Sequence, residues 1–241
     1  MRSCEAMLRL VLLPGLDGTG DLFAPFVAAL EGLPTTVISY PPDRALDYRG
    51  HEAHARARLP QDEDFVLLAE SFSGPVGIAL AAMQPRGLRG LILCSSFAVN
   101  PLPRLAFMKS IVGALPAPRP PAVLTAPWLY GGRATPELRR AHVAAMAKVS
   151  PRVLRARAAA VLGVDYRPQL RRIDVPMLYL LALRDRLIQR AAARAIVELR
   201  PETQLVEFDA PHFLLQTEPD ACAAAVRRFM RECTDAVGRA M

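Results

Sequence analysis

Lysine is almost missing from this chain of 241 residues. Lys109 and Lys148 are the only two, and arginine supplies the other 28 of its 30 basic side chains. The arginines are dispersed, no basic run exceeds two residues, and there is no aromatic interleaving of the RNA-binding type. A net charge of +7 spread in this way does not mark a nucleic-acid surface, so no nucleic-acid partner is expected. Cysteine is scarce too. Cys4, Cys94, Cys222 and Cys233 show no metal-ligand spacing and no disulfide density, which speaks against a metal site and a stapled scaffold. Cys94 falls in an apolar strand-like run and Cys222 in a helix-like one, so both read as buried free thiols. That suits a reducing compartment and a cytoplasmic protein. Long apolar runs are absent as well: nothing approaches the roughly 20 residues that span a bilayer, so no membrane span is expected. The early "MLRLVLLPG" is broken by Arg9 and ends in Pro-Gly with no small-residue cleavage site, unlike a signal segment. No repeat or low-complexity tract occurs.

What is present is a chain 52% hydrophobic, long enough to bury a sizeable core as one domain. Apolar runs at Leu8–Leu13, Thr36–Ser39, Phe65–Ala69, Leu91–Cys94, Met177–Leu181 and Leu205–Phe208 read as strands. Most are nearly continuous hydrophobics, the pattern of strands covered on both faces of a parallel sheet. Helix-like segments separate them: "DLFAPFVAAL", "HEAHARARL", "GPVGIALAAM" and "QRAAARAIVEL". The closing "ACAAAVRRFMREC" sets Val226, Phe229, Met230 and Cys233 on one helical face. This alternation predicts an α/β fold, a mostly parallel sheet of about six strands with helices on both faces. From 101 to 168 the rhythm breaks into proline-rich connectors and helical patterns, among them a stripe of Leu138, Ala141, Ala145 and Val149. Residues 1–100 and 169–241 thus read as the core, and 101–168 as a helical insertion placed where a lid would sit.

Ser71 stands where an apolar strand meets a helix almost without a loop, in "AESFSGP". A turn that sharp tolerates only small residues two positions either side of its centre, and Ala69 and Ser73 are small. Pro75 suits a helix's first turn. Such a serine needs a base and an oriented acid to act as a nucleophile at neutral pH. Of four histidines, His51 and His54 lie in an early helix and His142 in the insertion. His212 lies just after the last predicted strand, in a loop preceding the final helix. Asp185 follows the penultimate strand, before a helix; Asp209 lies too close to His212 in sequence to reach its ring easily, and Asp165 belongs to the end of the insertion. Attack on a carbonyl also requires donors for the oxyanion. The amide of Phe72, next to the serine, is one. The loop "LLPGLDGTGDLFAPF", with Gly15, Gly18 and Gly20, offers the amide of Leu16 as the other. Neither the phosphate-binding loop pattern nor the dinucleotide fingerprint fits these glycines.

Taken in order, "LLPGLDGTGDLFAPF", "AESFSGPVGIALAAM", "LALRDRLI" and "APHFLLQTEPDA" resemble the α/β-hydrolase superfamily, especially small bacterial serine esterases with a helical cap. The resemblance spans nearly the whole chain. It implies a Ser71–His212–Asp185 triad, an oxyanion hole from Leu16 and Phe72, and a cap over an acyl pocket bordered by Gly15, Asp17, Phe97 and Trp128. Leu105, Phe107, Met108 and Leu129 are further apolar candidates for that pocket. It implies no metal and no cofactor, and a small ester or acyl substrate. The chain departs from the family where Pro14-Gly15 replaces the usual His-Gly, where Pro211 replaces a glycine before the histidine, and where room for an N-terminal β-hairpin is lacking. Ester hydrolysis is the leading expectation. A thioesterase or acyltransferase on acyl carriers is the nearest rival, and a slow-turnover ligand sensor on the same scaffold another.

Overall fold

The computed structural model describes residues 8–103, 107 and 122–240. Six strands form one sheet: β1 (Arg9–Leu13), β2 (Thr35–Val37), β3 (Phe65–Glu70), β4 (Leu88–Cys94), β5 (Met177–Ala182) and β6 (Gln204–Phe208). Their spatial order is β2-β1-β3-β4-β5-β6, and every pairing is parallel. Each expected strand is present, with ends moved by one to three residues. The four inner strands are buried on both faces, which is why they read as continuous apolar runs. The edge strands β2 and β6 are half exposed and correspondingly polar.

Alternation along the strands divides the core into two layers. Val11, Leu13, Leu67, Ala69, Leu91, Leu93 and Tyr179 face one side. Leu10, Leu12, Val66, Leu68, Ile92, Cys94 and Leu180 face the other. Helices α1 (Ala24–Ala29), α2 (Tyr48–Arg56) and α3 (Gly74–Ala82) connect the first strands; α1 packs on the second layer, α2 and α3 on the first. Between β4 and β5 lie α4 (Ala122–Leu129), α5 (Pro136–Ala147), α6 (Pro151–Val161) and the short α7 (Arg167–Leu170). Then come α8 (Arg190–Leu199), the single-turn α9 (Leu214–Thr217) and α10 (Pro219–Ala240).

On α10, Val226, Phe229, Met230 and Cys233 are all buried, as the spacing predicts. Gly90 makes room for them: a Cβ there would come within 2.9 Å of the Phe229 ring and 3.0 Å of the Cys233 sulfur. Cys94, Cys222 and Cys233 are buried free thiols; Cys4 lies outside the described residues. The stripe on α5 differs from expectation. Leu138, His142, Ala145 and Val149 are buried, while Ala141 is exposed. The helical step of four from Leu138 falls on His142, whose ring is held by Tyr130.

Topology places the site. The chain leaves β1 toward the face carrying α1 and leaves β3 toward the opposite face carrying α3. Their connections diverge beyond the carboxyl ends of two adjacent strands, and a crevice opens there, the usual ligand position in such sheets.

Candidate active site

Ser71 occupies the first position after β3 with φ of 48°, a left-handed conformation costly for any residue with a Cβ. Neighbouring side chains hold it there. Ser96 Oγ donates to the Ser71 carbonyl at 2.6 Å, and Tyr179 in turn donates to the Ser96 carbonyl at 2.6 Å. Tyr48 donates to the Phe72 carbonyl at 3.0 Å. Small residues do surround the turn, for visible reasons. Gly77 packs so tightly that a Cβ would sit 2.7 Å from that of Ala69. A Cβ on Gly74 would lie 1.7 Å from Ser96 Oγ. Gly74→Ala is therefore expected to lower unfolding free energy by about 1–3 kcal/mol, seen as an earlier urea midpoint at unchanged slope; an unmoved midpoint would contradict this packing.

The structure brings the three reacting candidates into one line. Ser71 Oγ lies 2.9 Å from His212 Nε2, and His212 Nδ1 lies 2.6 Å from Asp185 Oδ2. His212 and the Asp185 side chain are both buried. The second oxygen of Asp185 accepts from the amides of Leu187 and Ile188, each at 2.8 Å. The carboxylate is thus fixed on both sides, and Nδ1 carries the proton that Asp185 accepts. The rivals point elsewhere: Asp209 pairs with Arg184, and Asp165 with Arg167.

The loop after β1 is tied down residue by residue. Ser73 Oγ donates to the Pro14 carbonyl at 2.5 Å, so the Tyr40 hydroxyl, 2.7 Å away, must donate to Ser73. The Gly15 amide reaches the Glu70 carboxylate, and Gly18 N–H donates to the Gly15 carbonyl at 3.0 Å. In a trans peptide the Leu16 N–H then points the opposite way from that carbonyl. Gly15, Leu16, Ser71, Phe72 and His212 all line one cavity of about 840 Å³.

That cavity is apolar over most of its wall. Asp17, Phe97 and Trp128 line it, as does Leu129. Phe107 is 75% exposed and does not line it; Leu105 and Met108 lie outside the described residues. Helices α5 and α6 add His142, Met146 and Val161.

Several residues here escaped sequence reasoning. Glu70, buried under the elbow, accepts from Gln216 Nε2 at 2.9 Å and is pushed up to about 7, chiefly by burial. Its signal was a carboxylate ending a run of apolar residues. Arg157, fully buried, sits one step of three from Leu154 and four from Val153 on the buried face of α6. An arginine in an apolar stripe was the clue. Ser73 looked like a small spacer and is a hydrogen-bonding strut. Among the described residues no group of three or more His, Cys, Asp or Glu could hold a metal, and no helix is long and apolar enough to cross a membrane.

A parallel sheet with a serine at such an elbow, facing His and Asp from later loops, defines a hydrolase-type architecture. Residues 10–225 match the alpha/beta hydrolase family, and the chain belongs to it. No curated protein matches the chain. Among solved structures, a lipase-esterase related protein from Clostridium acetobutylicum superposes with TM-score 0.78 at 15% identity, covering 93% of this chain and 95% of that one. A hydrolase from Pseudomonas aeruginosa gives 0.77 at 22% identity, covering 92% and 89%. The enol-lactonase from Burkholderia xenovorans gives 0.74 at 20%, covering 93% and 91%.

Proposed function

We propose that this protein is a serine hydrolase cleaving carboxylic esters through an acyl-enzyme. The observation that carries this reading is the unbroken hydrogen-bonded line from Ser71 through His212 to Asp185. With Nδ1–H donated to Asp185, the Nε2 lone pair faces the Ser71 hydroxyl. His212 takes that proton as Oγ bonds to the ester carbonyl carbon. Amides of Leu16 and Phe72 receive the oxyanion, and Asp185 stabilises the imidazolium. Collapse breaks the bond to the alcohol, which leaves with the His212 proton; water then repeats the sequence and frees the acid. Residues 101–168 act as the cap, and Phe97, Trp128, Gly15 and Asp17 border the acyl group. The apolar wall supports an uncharged acyl portion.

The test is direct. Purified protein should turn over p-nitrophenyl esters and bind one fluorophosphonate per chain at Ser71. Absence of both would dismiss the reading, and faster turnover of acyl-CoA would reassign the leaving group to a thiol.

The pH dependence follows from the surroundings of His212. Burial works against its charged form, but the Asp185 charge, its hydrogen bond and Glu70 together outweigh it, raising the pKa above 6.5. A base is inactive when protonated, so kcat/KM should climb with pH along a limb centred above 6.5. Glu70, near 7, titrates in the same range, so the limb belongs to the pair. Glu70→Gln removes a negative charge beside the imidazole. The limb should move to lower pH, while a rotated Gln216, whose Oε1 is unpartnered, accepts from the new amide. A limb that stays in place would refute this coupling.

A further inference from the structure

We propose that Arg157 is a positioning residue for the oxyanion loop, through which the inserted helix α6 sets the Leu16 amide. The proposal rests on the reading of Ser71 given above. The guanidinium is fully buried, and its three hydrogen bonds end on main-chain carbonyls. One Nη1 serves both the Leu16 carbonyl at 2.9 Å and the Asp17 carbonyl at 2.7 Å. Nη2 reaches the Pro41 carbonyl at 3.0 Å. Asp17, whose carboxylate could have paired with this cation, is instead turned to the backbone N–H and hydroxyl of Thr19. The Asp17 charge acts on the cation only through space, and no carboxylate among the described residues hydrogen-bonds it. A buried cation held this way is costly to keep, so packing alone is a poor reason for it.

The loop is shaped around the fork. Gly18 has φ of 70°, and a Cβ there would lie 2.4 Å from Arg157 Nη1. The guanidinium also stands 5.6 Å from the centre of the Tyr40 ring, and Tyr40 supports Ser73, which holds the Pro14 carbonyl. Arg157 therefore grips the loop on the far side of Leu16 while Gly15 is fixed by Glu70 on the near side. The peptide planes before and after the one that carries the Leu16 N–H are both restrained, which gives that N–H one direction. Lysine cannot reproduce this, since a single ammonium lacks the planar fork.

Arg157→Met and Arg157→Lys test the idea with p-nitrophenyl esters, active sites being counted by fluorophosphonate titration. Because a misaimed donor forfeits much of what an oxyanion donor contributes, kcat per titrated site should fall about 10- to 100-fold in Arg157→Met. KM should change by less than about threefold, since the loss is confined to the transition state. A trifluoromethyl ketone, which forms an oxyanion on Ser71, should weaken in parallel; the unfluorinated ketone should not. Arg157→Lys should fall between wild type and Arg157→Met. Full kcat per site in either variant overturns the proposal. So does a loss seen only as fewer titratable sites, or only in KM. If Arg157→Met yields no folded protein, Arg157→Lys decides by the same ratio of ketone affinities. Failure of the wild type to label at Ser71 would instead sink the proposed reaction, leaving the two failures distinct.

Discussion

Ser71→Ala should lower kcat for ester turnover by about 10⁶-fold, the loss seen when a nucleophile acting within a triad is removed. The fold should survive. Alanine keeps the Cβ, and none of the hydrogen bonds that hold the elbow uses Ser71 Oγ: Ser96 binds the residue 71 carbonyl, Tyr48 the next one. Among the described residues, the hydroxyl's partner is His212 Nε2. Circular dichroism and the unfolding midpoint should therefore match wild type while p-nitrophenyl acetate turnover drops to background. Substantial residual turnover per folded molecule would remove Ser71 from the mechanism.

Asp185→Asn carries the second large effect, about 10⁴-fold in kcat. The reason lies in the local donors. Leu187 and Ile188 aim two N–H groups at one oxygen of Asp185. An asparagine must keep its carbonyl oxygen there, because its NH₂ would face two donors. The NH₂ is then driven toward His212 Nδ1, which has to accept. The ring proton moves to Nε2, and His212 loses the lone pair that Ser71 needs. Raising the pH should recover little, since the fault is a tautomer and not a charge. Activity near wild type would show that some other group orients the ring.

The parallel sheet was legible because its inner strands are covered on both faces and so appear as unbroken apolar runs. The order of Ser71, Asp185 and His212 was legible because each follows a strand, and the carboxyl ends of parallel strands share one rim. What could not be read shares a different property. Arg157 meets Leu16 across 141 positions, and Glu70 meets Gln216 across 146. Arg157 and Ser73 also bind main-chain carbonyls, which every residue possesses and no residue type announces. On α5, choosing Ala141 over His142 followed hydrophobicity; the helix geometry put the histidine inside, where a tyrosine hydroxyl satisfies it.

The division of labour between sheet and insertion has an evolutionary consequence. Ser71, Asp185 and His212 follow strand ends, whereas much of the cavity's upper wall comes from α4, α5 and α6. Substitutions in α4 and α5 can reshape the room for a substrate without touching the chemistry. Helix α6 is not free in the same way, because one of its side chains reaches into the loop beside Ser71. Descendants of this chain should diversify fastest on the first two of these helices and slowest around position 157.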